Sequence, residues 1–117
     1  MKKVKIIQSY QKQYLNPIVL NVGDQVILGK EETEEKWKGW IWAESITNSG
    51  WIPMQIIEFS SDRKTGIISK EYSAQELAVE KNDFVLIIES LNGWLWVKNI
   101  LNNEEGWIPS ECVNELI

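Results

Sequence analysis

The sequence predicts an all-β chain built as two small five-stranded barrels, one after the other. Three observations lead there. Short segments rich in β-branched and aromatic residues recur between turn signals. No stretch carries a sustained 3.6-residue apolar stripe, so no long amphipathic helix is expected. The same unit is written twice: "GWIWAES" from Gly39 matches "GWLWVKN" from Gly93, and "GWIP" occurs at Gly50 and again at Gly106.

The elements follow in order. "NVGDQVILG" (Asn21–Gly29) aligns with "EKNDFVLII" (Glu80–Ile88), which pairs Asp24 with Asp83. Tyr10 aligns with Tyr72, and "MQII" with "SECV". The strand segments of the first copy are "QVILG", "WIWAES" and "WIPMQI"; those of the second include "DFVLII" and "WLWVKN". Turns are marked by Val22-Gly23-Asp24, Asn48-Ser49-Gly50, Asn82-Asp83, Asn92-Gly93 and the run Asn102–Gly106. "SAQELAVEK" has helical propensity, but it is short, and the aligned "LNPIVLNVG" carries Pro17, which disfavours a helix. The offset between copies drifts from 62 to 54 residues, as in a duplicated domain rather than a solenoid. The boundary is expected in the loop-like "FSSDRKTG". This divides the chain into a first unit over 1–58, a linker over 59–66 and a second unit over 67–117. Each unit is below sixty residues and would bury only about 60% of its chain surface, so packing between them would add stability.

Composition narrows the function. Of 117 residues, 44% are apolar and 25% charged, which fits a packed globular chain. No apolar run reaches the roughly 18 residues of a membrane span, and the start lacks a signal-peptide block, so a cytoplasmic location and no membrane partner are expected. Net charge is −5, and residues 59–117 hold ten acids against five bases. Nucleic acid is not an expected partner, because phosphates need clustered cations. There is no histidine, no Gly-rich phosphate loop and a single cysteine, Cys112, expected as a buried thiol. No enzyme activity, cofactor or metal is therefore expected. The acidic "KEETEEK" (Lys30–Lys36) reads as a solvated, mobile charge run.

Seven tryptophans are many for this length. Strand alternation puts Trp40 and Trp42 on one face and Ile41 and Ala43 on the other; Trp94 and Trp96 likewise oppose Leu95 and Val97. Aliphatic side chains suit a small core, so the Trp pairs face outward as a candidate contact surface. For Trp42 and Trp96, contact and structural burial stand equally open; for Trp40 and Trp94, the family resemblance given next implies contact.

A Tyr-bearing first strand, an apolar-Gly-Asp turn, a Gly-Trp strand and "GWIP" together resemble the Src-homology-3 (SH3) domain, and they do so twice. The pattern looks most like variant SH3 domains that occur as tandem pairs in small bacterial proteins. The resemblance implies a groove for proline-rich peptides in the polyproline II conformation, with an acid for a peptide Arg or Lys. Trp40 and Trp94 match the family's specificity Trp, Trp51 and Trp107 the aromatic of the "G-aromatic-I-P" strand, and Pro53 and Pro109 the groove proline. Tyr10 and Tyr72 match the second Tyr of the family's "ALYDY" stretch, and Glu76 matches the acidic anchor in the second copy. Two groove tyrosines are replaced, one by Gln8 and Lys70, the other by Ile56 and Cys112, and Pro17 stands where the first copy would carry its acid.

The leading expectation is a non-catalytic adaptor that binds a peptide or protein, proline-rich or basic, through two Trp-rich grooves. Two alternatives stay open: a structural or self-association module, such as a homodimer, whose Trp faces are buried between domains or chains, and a cell-wall or glycan binder.

Overall fold

The structure, a computed structural model, describes residues 1–13 and 15–113. The fold is all-β, with strands joined antiparallel and three single-turn 3₁₀ segments among the described residues. Two compact units form, but they do not follow the order of the repeats. One is continuous, Asn16–Gln75; the other joins Met1–Leu15 to Glu76–Ile117. The first is called the inserted unit here, the second the split unit.

In the split unit, β1 (Lys2–Lys5) pairs with β9 (Phe84–Leu91), which pairs with β10 (Trp94–Asn99), which pairs with β11 (Glu105–Pro109). Single bridges, Ile6 with Val113, Tyr10 with Val79 and Glu76 with Trp107, tie in the flanking segments. Alternation along β1, β9 and β10 sends Val4, Val85, Leu95 and Val97 inward, where they meet Ile6, Leu77, Ile108 and Cys112 in one apolar cluster. Burial raises the Cys112 thiol pKa, and the Glu111 carboxylate adds to the rise.

In the inserted unit, five strands run in the order β5 (Ser49–Pro53), β4 (Trp40–Glu44), β3 (Gln25–Glu31), β7 (Thr65–Ile68), β6 (Ile57–Phe59). A two-stranded ribbon, β2 (Val19–Leu20) with β8 (Tyr72–Ser73), completes it. Ile18, Leu20, Val26, Ile41, Ala43, Ile52 and Ile68 are buried.

The division at 1–58, 59–66 and 67–117 is therefore corrected. Residues 59–66 are no linker: they carry the β6–β7 hairpin, with Phe59 opposite Gly66. The turn is held locally. Asp62 accepts from the Ser60 hydroxyl at 2.7 Å and the Lys64 N–H at 2.9 Å, and its carboxyl pKa is lowered, mainly by the Lys64 bond. The Arg63 guanidinium lies 4.0 Å from the centre of the Phe59 ring. The first strands of the two copies are thus exchanged: β1 joins the barrel of the second copy, and β7 joins that of the first.

Sterics favour this choice. Gly66 and Val4 are equivalent, facing Val26 and Val85 at matching registers. A Cβ on Gly66 would meet Ile57 Cγ2 at 2.5 Å, so Val4 has no room in that place. In the split unit the position matching Ile57 is the smaller Val113, and Val4 is buried in the same cluster. Interiors are close-packed, so a misplaced isopropyl group is felt.

Candidate functional site

Each unit carries an aromatic cluster on the outer face of its Gly-Trp strand. In the inserted unit, Trp40 is opposite Pro53 and Trp42 opposite Trp51 across β4 and β5. The indoles of Trp42 and Trp51 meet edge to face, with centroids 5.6 Å apart at 80°. The Tyr72 ring leans on Trp40 at 6.4 Å and 58°. Behind this face, Ile41 and Ala43 point inward, as alternation predicts.

The split unit repeats the arrangement. Trp94 is opposite Pro109 and Trp96 opposite Trp107 across β10 and β11. Trp96 and Trp107 meet edge to face at 5.3 Å and 80°. The Tyr10 ring stands edge-on to Trp94 at 6.0 Å. The Tyr10 hydroxyl donates to Glu76 Oε2 at 2.8 Å, and the Gln13 N–H donates to Glu76 Oε1. Gly106 permits this packing: a Cβ there would lie 2.7–2.9 Å from the Glu76–Leu77 backbone.

The expected site residues therefore fall into two groups: Trp40, Trp42, Trp51, Pro53 and Tyr72, then Tyr10, Glu76, Trp94, Trp96, Trp107 and Pro109. Several expectations change. Each cluster draws its tyrosine from the other copy of the repeat, because the exchanged first strand carries it. Tyr10 therefore serves Trp94, and Tyr72 serves Trp40.

Glu76 is only 6% exposed, with hydrogen bonds to both carboxylate oxygens. A carboxylate so engaged holds the loop; it is not an exposed anchor for a peptide cation. Trp40, read as an outward contact ring, keeps only 7% exposure, whereas Trp94, Trp42, Trp51 and Trp96 are half-buried. Trp107, Pro53 and Pro109 lie on the same face but are buried.

Sequence reasoning missed Glu105, which accepts from Trp96 Nε1 at 2.8 Å and fixes that ring. Its place across from Lys98, beside the Trp96–Trp107 pair, was the available signal. Trp37 was missed too. It is half-buried in the 3₁₀ turn Glu35–Trp37, just before β4. The acidic run around it is largely exposed, but it has local order: Glu32 Oε1 accepts from the Thr33 N–H at 3.1 Å, and the Glu32 N–H donates to the Trp40 carbonyl at 2.9 Å.

Among the described residues, no group of three His, Cys, Asp or Glu side chains is placed to hold a metal, and no helix is long and apolar enough to cross a membrane.

Residues 70–110 match the SH3 domain family. The matched stretch runs across both structural units, with 70–75 in the inserted unit and 76–110 in the split unit. No curated protein and no solved structure matches the chain.

Proposed function

We propose that the chain is a non-catalytic adaptor that binds extended peptide segments of partner proteins at two variant SH3 grooves, one on each unit. The observation that carries this is the repeated Trp–Pro–Tyr cluster: Trp94, Pro109 and Tyr10 in one unit, and Trp40, Pro53 and Tyr72 in the other. The SH3 match supports a protein-interaction module. Ridges of aromatic rings suit a polyproline II segment, which enters the groove with little conformational entropy to lose. The split unit is the stronger site, because Trp94 presents more of its ring than Trp40 does. Glu76 is engaged, so affinity there rests on ring packing more than on a peptide cation.

Titration with proline-rich and with basic peptides, followed by tryptophan fluorescence and calorimetry, tests the reading. Trp94→Ala should weaken binding by at least about tenfold with the fold retained, as loss of a central aromatic anchor does. Binding unchanged by both Trp94→Ala and Trp40→Ala would refute it. The burial of Trp40 and Trp107 favours a second reading, in which the clusters act chiefly as structural packing. That reading expects both variants to lose stability and no peptide to bind.

A further inference from the structure

A second face, away from the tryptophans, exposes aliphatic surface. On the inserted unit, the outward side of β3 and β7 shows Ile27 at 61% and Ile67 at 43% exposure, and Ile46 at the neighbouring turn is fully exposed. They line an open groove of about 560 Å³. Its charged lining is Glu44, directly across from Ile27, and Glu58, directly across from Ile67; no basic side chain lines it. Three exposed isoleucines around one groove offer a surface suited to a contact. The charge calls for an occupant that brings apolar and basic groups together.

The equivalent face of the split unit has that character. Lys3 and Lys5 of β1 occupy the places of Thr65 and Ile67, Phe84 that of Gln25, and Lys98 that of Glu44. Phe84 is 46% exposed, and Lys3 Nζ lies 4.8 Å from the centre of its ring. Equivalent faces of the two units thus share an antiparallel strand pairing and carry opposite charge.

We propose that the Ile27–Ile67 face docks the Lys3–Lys5–Phe84 face of a second copy of this chain. The two surfaces differ, so the contact is head-to-tail and can extend beyond a dimer. The interface is independent of the aromatic clusters, and peptide binding can fail while it stands.

Sedimentation velocity across protein concentrations up to ~1 mM is the test, because small interfaces are weak. The monomer mass is 13.6 kDa. Average mass should rise with concentration at low salt and fall toward the monomer as salt screens the pairing. The double variant Glu44→Lys/Glu58→Lys should remain monomeric, and so should Lys3→Glu/Lys5→Glu; mixing the two should restore association. Each reversal should weaken self-association by roughly tenfold or more, since like charges then face each other. These positions are exposed, and thermal melts of each variant establish that it is folded. Ile27→Lys supplies a check on the apolar part and should also abolish association. A monomer at every concentration and salt, or association indifferent to both charge reversals, would overturn the proposal.

Discussion

Glu76 shows how a side chain matched to an exposed family position can be buried instead. An acid in the first long loop reads as a solvent-facing anchor. Here its two oxygens hold the Tyr10 hydroxyl and the Gln13 backbone, linking the N-terminal segment to the second copy. Glu76→Ala should cost about 1 kcal/mol in chemical denaturation, because it removes the acceptor of two part-buried hydrogen bonds. Glu76→Gln should cost less, since the amide can still meet both groups. Cys112 was legible from sequence as a buried thiol. Its pKa is raised by burial first and by Glu111 second, so little thiolate forms at neutral pH. Iodoacetamide should label it slowly in the folded chain and rapidly in denaturant. Fast labelling under native conditions would contradict the burial.

At the scale of elements, strand periodicity was legible and strand partnership was not. Ile41, Ala43, Leu95 and Val97 all point inward as their alternation predicts. The Phe59–Gly66 segment looked like a linker because Ser, Asp, Lys and Gly favour turns, and its centre is a turn. The composition could not reveal that both flanks continue as paired strands. Gly66 is the test of the exchanged pairing. Gly66→Val should destabilise the inserted unit by about 1–3 kcal/mol through overpacking against Ile57. Adding Ile57→Val to that variant should recover part of the loss in thermal melts. A neutral Gly66→Val would show that β7 does not pack against β6 as described.

At the scale of the whole molecule, the inserted unit is one continuous segment and the split unit needs both chain ends. A fragment spanning 16–75 should therefore fold by itself, with low stability for its size. Removing residues 1–15 should melt the split unit, because β1 and the Ile6 bridge go with them. Circular dichroism and amide exchange on both fragments check this; a cooperative native-like signal from both units after removing 1–15 would contradict the assignment. The sequence by itself determined the all-β class and the inward aliphatic faces of the Gly-Trp strands. These follow from local periodicity and turn chemistry, which nearest neighbours along the chain dictate. Only the tertiary structure decided which barrel takes which first strand, and hence which tyrosine meets which tryptophan. The two first strands have similar patterns, and packing favours the observed pairing: Gly66 leaves room for Ile57 across the β6–β7 hairpin, and Val4, from the other end of the chain, is buried in the cluster that holds Val113.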